Sequence, residues 1–200
     1  MKIVVLTSHN SADDVIVNRC DELGVPCFRG SEYDVAKRFL DCAHLYGIKH
    51  IVRIPSDDPF IPCNELLSIL DLYKSLDGLD YLSSTLEPKS PIGFHVEVFP
   101  RESLENAYKK SSTNSLACEH VTPAIYNDSA MKLQPFPLKQ DYSRYRLTID
   151  YYEDLEFARA LAKRLINPIK SLDQIVESIE SFPSLFNVNS MHSKSSTITL

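Results

Sequence analysis

An α/β fold built around a largely parallel sheet is what this sequence predicts, and three observations predict it. Short apolar, β-branched runs alternate with amphipathic stretches of helical period, the pattern of right-handed βαβ units. Glycines stand where those stretches end. The chain has 200 residues with 44% hydrophobic and 24% charged positions, and a chain of that size buries roughly 70% of its unfolded surface without a structural metal or disulfides. A single domain over residues 1–186 is expected, followed by a polar tail, 187–200, rich in Ser and Asn and expected to be mobile or loosely docked.

The elements follow in order. Ile3 to Leu6 reads as a strand, and Ser11-Ala12-Asp13-Asp14 opens a helix that Gly24 ends in a left-handed cap. Pro26-Cys27-Phe28 is extended, and Ser31 caps a second helix from about Glu32 to Tyr46, ended by Gly47. Ile48 to Ile54 is the next strand, and Pro62-Cys63-Asn64 starts a third helix that stops before Gly78. Asp80 to Ser83 is a strand. The rhythm then changes, because Phe94 to Phe99 alternates with period two, Ser103 to Lys110 is helical, and Tyr145 to Asp150 reads as a strand. Glu153 to Ile166 and Ser171 to Ser181 form two further amphipathic helices.

Composition narrows the function. Twenty-seven acidic against 21 basic residues give a net charge of −6, which disfavours partners that are themselves anionic, nucleic acid and acidic membrane alike. No run approaches the ~20 apolar residues of a membrane span, and the first apolar run is too short for a signal peptide. The five cysteines form no C-x-x-C pair, so reduced thiols in a cytoplasmic protein are expected. With only five glycines, neither G-x-G-x-x-G nor the Walker loop occurs.

In an open α/β sheet ligands bind beyond the carboxyl ends of strands. Four such loops carry polar clusters: Thr7-Ser8-His9-Asn10, Arg29-Gly30-Ser31-Glu32, Ser56-Asp57-Asp58, and Asp150. If the last two meet, two carboxylates face one crevice and suit Mg2+, a hard cation commonly held by one or two carboxylates and substrate phosphates. A structural reading stands beside this one. Asp57 and Asp58 precede Pro59 and can form an Asx-turn, while Asp150-Tyr151-Tyr152-Glu153 has the form of a helix N-cap with an acidic partner. His95 and His120 are candidates for acid/base work, with a hydrogen-bonded structural role as the alternative. Arg144 and Arg146 share a strand face and could clamp an anion or simply line a solvated edge.

Taken together, these segments resemble the cytidylyltransferases that activate acidic sugars, the CMP-KDO and CMP-sialate synthetase-like family, and most closely its spore-coat and surface-polysaccharide branch. The matching runs are Val4-Val5-Leu6-Thr7-Ser8, Phe28-Arg29-Gly30-Ser31-Glu32, Ile51-Val52-Arg53-Ile54 with Asp57 and Pro59, Glu97-Val98-Phe99, Glu119-His120-Val121-Thr122-Pro123, and Tyr145 to Asp150 with Glu153-Asp154. They keep family order over about residues 3 to 157.

The resemblance implies a nucleotide-diphospho-sugar-transferase-like, Rossmann-like three-layer sandwich with a mixed, mostly parallel sheet. It also implies transfer of CMP from CTP to a sugar or sugar acid, with Asp57 and Asp150 as catalytic residues and Mg2+ ligands. Ser8, Arg29, Ser31 and Glu32 would lie by the nucleotide, and Glu97, His120 and Arg146 by the sugar. Family members begin with a further strand, loop and helix whose A-R-x-x-S-x-R-x-P-x-K type segment wraps the triphosphate, whereas this chain begins at what corresponds to their second strand. Weak CTP binding is therefore expected, as is a homodimer or another partner covering the exposed sheet neighbour. Asp58 stands where the family often has a small or thiol side chain, and Tyr151-Tyr152 where it usually has Thr-Pro. A non-catalytic sugar- or partner-binding relative and a nucleotide-sugar-dependent glycosyltransferase are the alternative readings, the latter without an obvious D-x-D triplet.

Overall fold

The computed structural model describes residues 2–111, 115–165 and 168–192. The chain divides into two compact units. The first runs to Ile51 and takes in Phe99–Leu133, and the second holds Val52–Val98 and the chain from Gln134 onward. The expected single domain thus contains two units, each assembled from two stretches of chain.

In the first unit, β1 (Val5–Ser8) pairs in parallel with β2 (Cys27–Gly30), with Val5 opposite Cys27 and Ser8 opposite Gly30. Between them a 3-10 turn, Ser11–Asp13, leads into α1 (Asp14–Leu23), which Gly24 ends at φ 64° as expected. The next helix, α2 (Val35–Leu45), starts later than the sequence suggests. Its N-cap is Asp34, whose Oδ1 accepts the Lys37 N–H at 2.9 Å, while Ser31 Oγ accepts the Asp34 N–H at 3.0 Å. Aspartate reaches the third amide of the helix, so the cap moves three residues on. Ala36, Leu40, Cys42 and Ala43 form the buried stripe of α2. The unit is completed by α4 (Arg101–Ser111), α5 (Ser115–His120) and the one-turn α6 (Pro123–Tyr126). Ile3, Val15 and Leu23 remain exposed in this unit.

The remaining strands are β3 (His50–Arg53), β4 (Tyr81–Ser83), β5 (Glu97–Pro100) and β6 (Leu133–Pro135), in the order β3-β5-β4-β6. Because β4 and β5 run antiparallel, with Leu82 opposite Val98, strand pairing is mixed. The alternation read in residues 94–99 does not separate two faces, since Val96, Glu97, Val98 and Phe99 are all buried. The helices α3 (Cys63–Ser75), α7 (Tyr152–Ala162), α8 (Leu172–Glu180) and α9 (Pro183–Phe186) belong to the second unit. Ile69, Phe157, Leu161, Leu172, Ile175 and Ile179 join Leu82, Phe94, Val96 and Leu147 in one apolar cluster.

One expectation about the second unit changes. Residues 145–150 make no regular strand, only an isolated parallel bridge between Arg146 and Ile92. Their amides find successive partners instead. Leu147 N–H donates to the Ile92 carbonyl at 2.7 Å, and Ile149 N–H to the Asp57 carbonyl at 2.9 Å. The polar tail is docked as far as it is described: Asn189 is buried, and Ser190–His192 forms a 3-10 turn. The rest of the tail, 193–200, lies outside the described residues. All five cysteines are free, and no helix of the described residues is long and apolar enough to cross a membrane.

Candidate active site

The two loops named for the nucleotide meet in the first unit because parallel strands bring their carboxyl ends to the same edge. Asp13 organises them. Its Oδ2 accepts hydrogen bonds from Thr7 Oγ1 at 2.7 Å, Ser8 Oγ at 2.6 Å and the Ser8 N–H at 2.9 Å. Hydrogen bonds from Ser8 and then Thr7 hold the Asp13 carboxyl down at about 2. Arg29 spans the same loops, donating from Nε to the Ser8 carbonyl at 2.8 Å, from Nη2 to the Asn10 carbonyl at 2.7 Å and from Nη1 to Asp14 at 2.7 Å. Glu32 accepts from Asn10 Nδ2 at 3.3 Å. Ser8, Arg29 and Glu32 therefore belong to one hydrogen-bonded group, with Ser31 turned to the start of α2. His120 is exposed at the end of α5, in the same unit.

The second unit brings Asp57 and Asp150 together. The Ile149 N–H donates to the Asp57 carbonyl, which fixes the two loops side by side, and both aspartates are exposed at the surface. Partial burial of the carboxyl, then the charges of Asp58 and Asp150, push the Asp57 carboxyl above the usual range, against a smaller pull from its own backbone N–H and from His95. Asp57 thus lies under the charge of two neighbouring carboxylates, while Asp150 is paired with Arg146.

The turn expected at these aspartates is present, the Asp58 N–H closing it on the Pro55 carbonyl at 3.3 Å. The buried Asp58 side chain holds His95, its Oδ2 lying 2.7 Å from Nδ1 and accepting the His95 N–H at 3.1 Å. Burial works against a charged His95 ring, but the Asp58 carboxylate, with Glu97 and Asp57, outweighs burial and raises its pKa. The N-terminus of α7 is capped one step beyond the expected pattern. Asp154 Oδ2 accepts the N–H groups of Asp150 and Tyr151, both at 3.1 Å, leaving the Asp150 side chain out of the cap.

Arg146 connects the acidic pair to the core. Its Nε and Nη2 donate to Asp154 at 2.8 Å each, and Nη2 also reaches Asp150 Oδ2 at 2.6 Å. Its side chain is 1% exposed, so the guanidinium expected at the sugar is turned inward. Glu97 is similarly engaged. It accepts from Arg53 and, at 2.6 Å, from the Tyr81 hydroxyl. Arg144 instead pairs with Glu180, and no anion clamp of two arginines forms.

The donor set fits a hard divalent cation. It offers two exposed carboxylates whose mutual repulsion a cation would relieve, and one buried oxygen, Asp58 Oδ1, has no hydrogen-bond partner among the described residues. No group of three or more His, Cys, Asp or Glu side chains among the described residues is arranged to hold a metal, so a two-carboxylate site would take its remaining ligands from substrate or water. Sequence reasoning missed Asp13, Asp154 and Asn189 as organisers of the two clusters. Asp154 was legible as the fourth residue after Asp150, whereas nothing near Asn189 in sequence announces its partners.

The α/β chain, with parallel and antiparallel strand pairing, has a nucleotide-diphospho-sugar-transferase-like fold. The model of the cytidylyltransferase family matches residues 1–181, and the chain belongs to that family. It is 35% identical over 195 residues to an uncharacterized protein of Methanocaldococcus jannaschii, covering 94% of this chain and 76% of that protein. Similarity to the spore coat polysaccharide biosynthesis protein SpsF of Bacillus subtilis is 32% over 165 residues, covering 81% of this chain and 67% of SpsF. Among solved structures, a cytidylyltransferase from Leptospira borgpetersenii superposes with a TM-score of 0.86 at 31% identity, over 92% of this chain and 77% of that one.

Proposed function

We propose that this chain transfers CMP from CTP to a hydroxyl of a sugar or sugar acid, releasing pyrophosphate, in the synthesis of a surface polysaccharide. The observation that carries the reading is the pair Asp57 and Asp150 on adjoining loops, with Asp57 under the charge of Asp58 and Asp150, in a chain of the cytidylyltransferase family. Asp57 and Asp150 would hold Mg2+, which when bound neutralises charge developing on the α-phosphate. Arg146 orients Asp150, and Asp154 holds the Arg146 guanidinium in place. Glu97, fixed by Arg53 and Tyr81, and His120 are assigned to the sugar. The Ser8, Arg29, Ser31 and Glu32 group is assigned to the nucleotide. The likeness to SpsF supports the polysaccharide context and leaves the sugar open.

The test is calorimetric titration of the full chain with CTP in the presence of Mg2+, repeated with Asp57→Asn and Asp150→Asn, alongside a pyrophosphate-release assay over a panel of sugar acids. Metal-dependent binding that each substitution weakens, with turnover falling roughly 100-fold or more, is the expected result. Binding indifferent to both substitutions would remove the metal assignment. A folded chain that binds a sugar acid but neither binds nor turns over CTP would identify a non-catalytic relative.

A further inference from the structure

The segment after α9, a polar tail by its composition, supplies a buried polar group to the acidic site. Asn189 is 3% exposed. Its Nδ2 donates to Asp154 Oδ1 at 2.9 Å and approaches the Arg146 carbonyl at 3.3 Å. Both partners are pure acceptors, and the two N–H donors of the Asn189 amide are matched to them. Asp154 Oδ1 is also the oxygen that receives Arg146 Nε. With Asn189 in place, one carboxylate is held from two sides and presents a fixed pair of oxygens to the guanidinium, whose Nη2 also reaches Asp150.

The chain around Asn189 is anchored independently of that amide. The His192 ring stacks on Tyr151 with centroids 4.0 Å apart and planes 13° from parallel, and its Nε2 lies 3.3 Å from Glu153. Leu185 is buried in the apolar cluster. Residues 185 to 192 thus run as a strap across the start of α7, the element on which Asp154 sits and before which Asp150 lies.

We propose that Asn189 is a positioning residue for the acidic pair, setting Asp150 for cation binding through Asp154 and Arg146. This inference rests on the assignment of Asp57 and Asp150 as cation ligands. Groups behind a metal ligand fix its orientation, and their loss costs ~10–100-fold in metal affinity. Asn189 acts at one further remove, and the expected loss is about tenfold, the low end of that range.

The experiment titrates Mn2+, as a stand-in for Mg2+, into the full chain by calorimetry, with thermal melting of every variant recorded beside it. Four variants are compared: Asn189→Ala, which removes the donor; Asn189→Asp, which replaces it by an acceptor of the same shape; His192→Ala, which removes the stack and leaves the amide; and Asp57→Asn. The proposal requires Asn189→Ala to weaken Mn2+ about tenfold, Asn189→Asp to weaken it at least as much, and His192→Ala to lower the melting temperature without a comparable loss of Mn2+ affinity. Mn2+ affinity that depends on Asp57 but is unchanged in both Asn189 variants overturns the positioning role and leaves the metal site standing. Equal loss in Asn189→Ala and His192→Ala, tracking melting temperature, makes the strap merely structural and overturns it too. Mn2+ binding that Asp57→Asn leaves unchanged refutes the metal assignment, and the positioning role falls with it.

Discussion

Asp13 in the first unit and Asp57 in the second meet opposite surroundings. In the first, Asp13 takes three hydrogen bonds on one oxygen and is held at about 2, and Arg29 closes the same loops with three bonds of its own. In the second, Asp57 stands beside Asp58 and Asp150 and is pushed the other way. Strong hydrogen bonding marks a carboxylate that shapes its loop. A carboxylate left under the charge of its neighbours marks a place where a cation or substrate completes the balance.

The sharpest way to probe that contrast is through the residue that separates the two behaviours within the second unit. Asp154 is fully buried and binds Arg146 through both oxygens. Burial alone would raise its pKa, but hydrogen bonds from Arg146 and Asn189, with the Asp150 and Tyr151 amides, hold it at about 2. Asp154→Ala should destabilise the fold by about 3–5 kcal/mol, since it strands a guanidinium that is 1% exposed. Urea unfolding measures it, and a loss below about 1 kcal/mol would mean that Arg146 relaxes onto Asp150 at little cost.

Next in size is Gly93. At φ 92° it lies in the left-handed region, and a Cβ there would collide with the backbone of Leu147 and Thr148. That close approach holds the 91–95 loop, with His95, against the chain leading to Asp150. Gly93→Ala should cost about 1–3 kcal/mol of backbone strain and disturb cation binding along with it. A variant as stable as the parent would show that the loop can back away.

The first half of this fold was legible because helix periods, caps and glycines are local signals. The end of α1 at Gly24 and the start of α8 at Ser171 follow from them, the Ser171 side chain accepting the Gln174 N–H at 3.2 Å. Residues 145–150 misled because β-branched and apolar alternation speaks for extended backbone and says nothing of its partners, which here are single residues of two different loops. The Asp57 and Asp150 pairing depends on chain topology, and the Ile149 to Asp57 hydrogen bond is the contact that brings their loops together. The bond between Asn189 and Asp154 spans 35 residues and has no local sequence signal at all.

The same contrast predicts pH dependences of opposite sign. Asp13 titrates at about 2 in the folded chain against 3.8 for the ordinary group, so its contribution is present above the unfolded value and is lost as pH falls through the folded one. Asp57 is raised, so the folded state binds its proton more tightly than the unfolded state does, and its unfavourable contribution at neutral pH disappears as pH falls through the raised pKa. Asp13→Asn should therefore lower stability at pH 7 and do so progressively less toward pH 2. Asp57→Asn should raise stability at pH 7 by less than about 1 kcal/mol, because the group is solvent-exposed, and the gain should fade on acidification. Urea midpoints at several pH values check both, and parallel pH trends for the two variants would erase the distinction between the units.

The smallest expected effect separates a loop-shaping residue from a site residue inside the first unit. Asp34 caps α2 and accepts the Tyr108 hydroxyl at 2.7 Å, a bond that pushes Tyr108 up to about 12, so Asp34→Ala should cost about 1–2 kcal/mol. Ser31 offers the fold one acceptor, to the Asp34 N–H, and Ser31→Ala should cost only about 0.5 kcal/mol, at the low end for such bonds. Because Ser31 is assigned to the nucleotide, the same substitution should weaken CTP while leaving the melting temperature nearly unchanged. A Ser31→Ala chain that melts several degrees lower and binds CTP like the parent would move Ser31 from the nucleotide site to the framework that supports α2.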